Sequence, residues 1–164
     1  MNYSISQNGK QLDKKLYTFD KKTRTFSSDE DNLVLDFWGL SNCTFKTGPY
    51  CTFKTSSGCT FNTGYSCTFD TSSDCTFSTS YDCIFKTSSD CTFDTGSDCT
   101  FKTGFNCIVI RRDIYEVIEL VENQKIKLNG YGIKGFTVLD EVISLSGKEV
   151  KITLDGVEYT AVIK

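Results

Sequence analysis

Histidine is missing from this chain of 164 residues, and proline, methionine and tryptophan each occur once. The lack of histidine removes the commonest general base in catalysis, the usual catalytic triads and the mixed Cys/His metal sites. We therefore expect a protein that is not an enzyme and that has no catalytic residue, no bound metal and no cofactor.

Strong charge and long apolar runs are lacking as well. The formal net charge is −3, with lysine and aspartate interspersed, so neither a nucleic-acid-binding surface nor an acidic tail is indicated. No run of the sequence approaches the length of a membrane-spanning helix, and the first twenty residues lack the apolar core of a signal peptide. We expect no nucleic-acid or membrane partner, and a cytoplasmic location in which thiols stay reduced.

Cysteine, by contrast, is abundant and follows one strict period. Nine cysteines recur every eight residues from Cys43 to Cys107, and the unit Cys-Thr-Phe-x-Thr-x-x-x occurs eight times without insertion or deletion. Ile84 is the single departure at the four fixed positions. A short fixed period is typical of solenoids, in which each repeat adds one layer to a continuous core.

The order of residues within the unit predicts which side chains face the core. Alternate side chains of a strand point to opposite faces. The fourth position carries lysine, aspartate, asparagine or serine and must face water, because a buried unpaired charge is costly. Cysteine, phenylalanine and the second threonine therefore face inward. The predicted core stack consists of Phe45, Phe53, Phe61, Phe69, Phe77, Phe85, Phe93 and Phe101, with Cys43, Cys51, Cys59, Cys67, Cys75, Cys83, Cys91 and Cys99.

The last three residues of each unit are turn formers, which predicts one five-residue strand and one turn per unit. Pro49, Tyr65 and Tyr81 recur every sixteen residues at the middle turn position, whereas Ser57 and Ser73 occupy the alternate corner. We therefore predict two units per coil, with sixteen residues per coil and two parallel sheets face to face. A triangular coil of twenty-four residues is the alternative that the turns disfavour.

Both ends of the repeat are degenerate, as is usual where a solenoid closes an open sheet edge. Leu16 to Phe26 alternates around a polar centre and predicts a β-hairpin. Leu35 and Phe37 lie one period before the first complete unit and indicate a degenerate repeat, with leucine in place of cysteine.

At the other end, Val109 and Arg111 take the phenylalanine and threonine positions of a decayed unit. Short strands are predicted near 114–120, 126–131 and 136–139.

The sequence Asp155-Gly156 between two alternating runs predicts a final hairpin. The predicted fold is an all-β, two-sided parallel β-solenoid with β-rich caps. Its predicted parts are an N-terminal β-hairpin cap (1–34), the octapeptide-repeat solenoid (35–112) and a small C-terminal β domain (113–164).

The cysteine columns are the first candidate for chemistry in such a fold. Neighbours in a column have Cα atoms about 4.8 Å apart but parallel Cβ vectors, which disfavours disulfides. A straight file of thiols also offers no tetrahedral metal site. Cysteine is therefore predicted to be a small, buried, apolar filler.

The outward threonines are the second feature. Thr44, Thr60, Thr76 and Thr92 form a file on one sheet. Regular threonine files on flat solenoids resemble the ice-binding faces of insect antifreeze proteins, although those faces use paired files. This partial resemblance implies ice binding as the alternative function.

A second resemblance involves the octapeptide itself, the run from Phe105 to Asp113 and the run from Lys127 to Tyr131. Together they resemble octapeptide-repeat β-solenoid proteins of phage and environmental sequences, which implies a virus-associated or mobile-element origin but no activity. The leading expectation is a structural or interaction protein that acts as a rigid scaffold or spacer, attached through its ends to a protein partner or to its own copies. It would be cytoplasmic, or virion-associated if phage-encoded.

Overall fold

The computed structural model describes residues 3–139 and, beyond them, the backbone of two strands at 149–154 and 157–162. Residues 3–139 consist of strands and turns, with one short 3-10 helix at Lys14–Leu16 and no α-helix. No helix in this described part is long and apolar enough to cross a membrane. The predicted fold class is confirmed, because the chain forms an all-β, two-sided parallel β-solenoid.

Nineteen strands are present in the described residues. In chain order they are β1 (Ser4–Gln7), β2 (Lys10–Gln11), β3 (Thr18–Asp20), β4 (Thr25–Ser27), β5 (Leu33–Phe37), β6 (Thr44–Lys46), β7 (Thr52–Thr55), β8 (Thr60–Asn62), β9 (Thr68–Asp70), β10 (Thr76–Ser78), β11 (Ile84–Lys86), β12 (Thr92–Thr95), β13 (Thr100–Lys102), β14 (Cys107–Arg111), β15 (Glu116–Leu120), β16 (Lys125–Leu128), β17 (Phe136–Val138), β18 (Glu149–Leu154) and β19 (Val157–Val162). One sheet has nine strands in the order β17-β16-β13-β11-β9-β7-β5-β1-β2, and the other has eight in the order β15-β14-β12-β10-β8-β6-β4-β3.

Successive units of the repeat alternate between the two sheets, which confirms the coil of sixteen residues. Phe45 pairs in parallel with Phe61, and Phe53 pairs with Phe69, each exactly one coil later. The corners follow the same period, since the rings of Tyr65 and Tyr81 stack with centroids 5.0 Å apart.

The strands of the repeat are three or four residues long, so the predicted length of five was wrong. The residue before each cysteine has a positive φ, for example +60° at Asp74 and Asp90 and +71° at Gly58. A left-handed residue ends an extended segment, so each strand of the repeat begins at or after its cysteine. Glycine, asparagine and aspartate tolerate this conformation best, which explains their frequency at the corners.

Phenylalanine fills the space between the sheets. All eight phenylalanines of the predicted core stack are at most 1% exposed. Neighbours within a sheet stack in parallel, as Phe61 and Phe77 do with centroids 4.8 Å apart, and neighbours across the coil meet edge to face, as Phe69 and Phe77 do at 5.1 Å. Both arrangements are favourable for aromatic quadrupoles.

The predicted N-terminal hairpin is confirmed as the antiparallel pair β3 and β4, with Phe19 opposite Phe26. Strand β4 also runs parallel to β6, with Phe26 opposite Phe45, so Phe26 belongs to the phenylalanine stack. Strands β1 and β2, which the sequence pattern did not indicate, complete this end: β1 pairs antiparallel with β5, and β2 pairs antiparallel with β1.

The predicted alignment of the degenerate N-terminal repeat was wrong by two residues. Leu35 lies opposite Phe53, and Phe37 lies opposite Thr55, so leucine takes the phenylalanine position. The reason is the connection 38–42, which has five residues between β5 and Cys43 where a regular unit has three. Subtracting the period therefore misplaces every residue before this connection.

The C-terminal end matches the predicted positions of Val109 and Arg111, which lie opposite Phe93 and Thr95. Strands β15, β16 and β17 join the two solenoid sheets in antiparallel fashion instead of forming a sheet of their own.

Strands β18 and β19 form the predicted antiparallel hairpin. Its turn, Asp155-Gly156, lies outside the described residues. The division of the chain into three parts stays a prediction.

Candidate functional site

The cysteines form two columns, one along each inner corner of the solenoid. We call them the long column and the short column. The long column contains Cys43, Cys59, Cys75, Cys91 and Cys107, and the short column contains Cys51, Cys67, Cys83 and Cys99. All nine are free thiols and at most 2% exposed. The structure thus places the predicted cysteine ladder inside the protein.

Each thiol is surrounded by backbone carbonyl groups and by the next thiol of its column. The Cys67 sulfur lies 3.6 Å from the carbonyl oxygen of Tyr65 and 3.7 Å from that of Gly48, one coil earlier. The neighbouring thiol Cys67 lowers the pKa of Cys51 to about 7, and Cys51 raises the pKa of Cys67. Successive layers of a column are also joined by a backbone N–H that donates to a sulfur, as from Cys83 to the Cys99 sulfur at 3.4 Å.

The described cysteines do not form a conventional metal site. No three or more cysteine, aspartate, glutamate or histidine side chains in the described part of the chain converge on a point where they could hold a metal ion. The columns are straight because their strands are in register, so no sulfur is flanked by more than two others along its column.

The inward threonines adjoin the cysteines. Five of the eight donate a hydrogen bond to the carbonyl oxygen of the following residue. These are Thr47, Thr55, Thr71, Thr87 and Thr95. Thr95 Oγ1 also lies 3.1 Å from the Cys99 sulfur, so threonine of one strand faces cysteine of the next. These hydroxyl groups stabilise the corners.

The outward threonine file lies on the eight-stranded sheet. Thr44, Thr60, Thr76 and Thr92 pair in register, and Thr25 of β4 extends the file to a fifth member by pairing with Thr44. Thr25 could not be found from the period because it lies before the irregular connection. The neighbouring outward file is mixed, with Ser27, Lys46, Asn62, Ser78 and Asp94.

The same outer face becomes apolar at its C-terminal end. Thr92 is followed in register by Ile108, and Ile110 lies opposite Val117 of β15. Ile108, Ile110 and Val117 are 36%, 40% and 65% exposed. We call these three residues the C-terminal apolar patch. The sequence pattern assigned β14 and β15 to strands but did not show that their outward apolar residues lie side by side.

Exposed large hydrophobic residues in general are concentrated near the C-terminal end of the described surface. Nine of the sixteen exposed large hydrophobic residues lie between Ile108 and Val138. Only Trp38, Tyr50, Tyr81, Ile84 and Phe105 lie within 35–107, a stretch more than twice as long. Contiguous exposed apolar surface commonly marks a site of protein–protein contact.

Beneath this end lies a buried arginine, Arg111, which is 0% exposed. Its Nη2 and Nε donate to the two carboxylate oxygens of Asp113 at 2.6 and 3.1 Å, a bidentate pair. Its Nη1 donates to the carbonyl oxygen of Ile133 at 2.7 Å, and Nη2 also reaches that of Gly130. Arg111 therefore fastens the 130–133 turn to the last parallel strand.

Asp113 is held as a carboxylate by the same contacts. Burial raises its pKa, but hydrogen bonds from Arg111 and from the Gly132 backbone N–H outweigh burial, so the pKa lies below its usual range. The sequence marked Arg111 as a departure from the unit. It did not reveal that Asp113 and the 130–133 turn surround Arg111, because the position of this turn depends on tertiary packing.

No protein-family model, curated protein or solved structure matches this chain.

Proposed function

We propose that this protein is a non-enzymatic scaffold or spacer, a rigid β-solenoid that attaches to a protein partner through its terminal regions. The C-terminal apolar patch is the main contact surface. The observation that supports the proposal is the concentration of exposed apolar side chains at the C-terminal end, against a much sparser distribution of them along the repeat. The lack of histidine in the sequence supports a role without catalysis.

The body suits a spacer because it is stiff along its axis. Nine strands about 4.8 Å apart span roughly 40 Å. Every coil is joined to the next by parallel ladders on both faces and by stacked phenylalanine rings in between. A bend would have to break ladder hydrogen bonds and ring stacking together, so the ends keep a constant separation.

The C-terminal apolar patch is tested by the double substitution Ile110→Lys and Val117→Lys. Both side chains point outward and lie opposite each other, so lysine at these positions adds charge to the contact surface without entering the core. We expect the double variant to capture no partner in pull-downs from the cells that express the protein. We also expect it to show no self-association by light scattering.

Ile84→Lys is the matched control, because Ile84 is an exposed isoleucine on the opposite sheet. Capture should survive this substitution. Capture that is lost with Ile84→Lys, or that persists with the double variant, would contradict attachment through the C-terminal apolar patch.

Association with a virus particle is the more specific form of this proposal. It is supported by the resemblance of the octapeptide to phage-encoded repeats alone, and it would add a virion location to the cytoplasmic one. Mass spectrometry of purified particles is the measurement that decides it.

Ice binding is the alternative function, and the fifth in-register threonine, Thr25, favours it. The file of Thr25, Thr44, Thr60, Thr76 and Thr92 lies on one outer sheet face. If this face binds ice, the protein should show thermal hysteresis at micromolar concentration, and Thr60→Lys with Thr76→Lys should abolish it. Freezing behaviour equal to that of albumin would rule this function out.

A further inference from the structure

The outer edge of strand β15 has no strand partner in the described residues, where β15 pairs with β14 alone. The other three strands that end the two solenoid sheets, β2, β3 and β17, have two or three residues, whereas β15 has five. Natural proteins usually protect such an edge with lysine or proline. Strand β15 contains neither, so its edge is open to a further strand.

The backbone groups of Val117 and Glu119 face this edge. The N–H of Ile108 donates to the Cys91 carbonyl oxygen at 3.1 Å, so Ile108 directs its backbone groups toward β12 and away from β15. Its antiparallel neighbour Glu119 is therefore not hydrogen-bonded to it, and the same holds for Val117 opposite Ile110. The N–H and C=O groups of Val117 and Glu119 thus point away from β14, into the open edge.

The side chains along the edge define which residues would fit opposite them. Val117 lies on the outer sheet face in the C-terminal apolar patch, and Glu119 is exposed beside it. Ile118 lies between them on the inner face, in the last layer of the core. In the same layer of the facing sheet, the inner residues Phe136 and Val138 are still 39% and 37% exposed. An added strand therefore fits best with apolar residues opposite Val117 and Ile118 and a basic residue opposite Glu119.

The charge of this segment favours a basic partner. Residues 113–122 contain four acidic residues and neither lysine nor arginine. Antiparallel addition would continue the pairing of β15 with β14. We propose that β15 binds an extended segment of another protein as an added antiparallel strand, with the order basic–apolar–apolar opposite Glu119, Ile118 and Val117.

A second copy of β15 fits this edge poorly, because it would bring the same acidic residues to the edge and no basic residue. The inference rests on the proposed contact at the C-terminal apolar patch and specifies the chemistry of the partner. It adds main-chain hydrogen bonds to a contact that otherwise depends on apolar side chains.

Selection from a random library of ten-residue peptides on the immobilised full chain tests this chemistry. We expect the enriched peptides to share a basic residue followed by two apolar residues. Glu119→Lys should weaken the binding of a selected peptide about tenfold or more, because it places like charges opposite each other. Asp29→Lys makes the same change in net charge at an exposed position near the other end and should leave binding unchanged. No enrichment, enrichment without a basic residue, or equal loss with both variants would overturn the proposal.

N-methylation of the selected peptide tests the backbone pairing without altering the protein. A methyl group on the peptide nitrogen opposite Val117 or Glu119 removes a hydrogen bond to β15 and should weaken binding about fivefold or more. Methylation opposite Ile118 points away from β15 and should have little effect. A peptide that is lost with the double variant Ile110→Lys and Val117→Lys but shows no such alternation would refute strand addition and leave the apolar contact standing. A peptide that binds the double variant unchanged would refute both.

Discussion

Replacement of Phe77 by alanine should lower the free energy of unfolding by about 3 to 5 kcal/mol, the usual cost of removing a fully buried phenylalanine ring. Phe77 is 0% exposed. It stacks on Phe61 and Phe93 at 4.8 and 4.9 Å and meets Phe69 and Phe85 edge to face at 5.1 and 5.2 Å. The ladders on both sides hold the strands at a fixed spacing, so the cavity cannot close by local collapse.

Urea unfolding followed by circular dichroism measures this loss. Thr76→Ala is the control one residue away, since Thr76 points outward into solvent, and it should change stability by no more than about 0.5 kcal/mol. Phe77→Leu should fall between the two, because it keeps most of the apolar volume. If alanine at position 77 cost less than about 1 kcal/mol, the stack would not be the main source of cohesion between coils.

Replacement of Arg111 by alanine should cost about 3 to 5 kcal/mol, because it leaves a buried charge without its partner. The Asp113 side chain is 6% exposed and would keep its charge in that environment, while the carbonyl groups of Ile133 and Gly130 would lose a donor. The neighbouring Arg112→Ala is the control. Its ion pair with Asp94 lies at the surface, with both side chains about half exposed, so its loss should cost about 0 to 1 kcal/mol.

The pH dependence separates charge from packing at this site. The pKa of Asp113 is lowered in the folded state, so its stabilising contribution is present above the unfolded-state pKa and is lost as the pH falls through the folded-state pKa. The difference in stability between the wild-type protein and Arg111→Ala should therefore shrink in acid. A difference that stays constant down to the pH at which Asp113 is protonated would assign the effect to lost packing instead.

The body of the solenoid could be predicted because every signal for it is local. The alternation of Cys, Phe and Thr with Lys or Asp assigns the inner and outer faces, and the sixteen-residue recurrence of Pro49, Tyr65 and Tyr81 assigns two strands to a coil. In-register parallel strands then follow, since a period without insertions places identical residues above one another. The inner position of the cysteine columns follows from the same alternation.

The ends could not be predicted to the same depth. The five-residue connection after Phe37 interrupts the eight-residue period. Only the strand pairing therefore shows which positions Leu35 and Phe37 occupy in their unit, and that Thr25 and Phe26 belong to the threonine and phenylalanine files. Strands β1 and β2 have no period to reveal them. Strand β1 pairs with the otherwise open edge of β5, and β2 then pairs with β1.

The amino-acid sequence by itself determined the coil, its two faces and its phenylalanine and cysteine files, because a repeated unit specifies the same local conformation at every layer. Only the tertiary structure decided what happens where the repetition stops. It pairs Ile110 with Val117 into an exposed patch and encloses Arg111 with Asp113 and the turn that contains Ile133. These contacts join residues from different, non-repeated segments. Their geometry depends on how the antiparallel strands pair with the last coil of the solenoid.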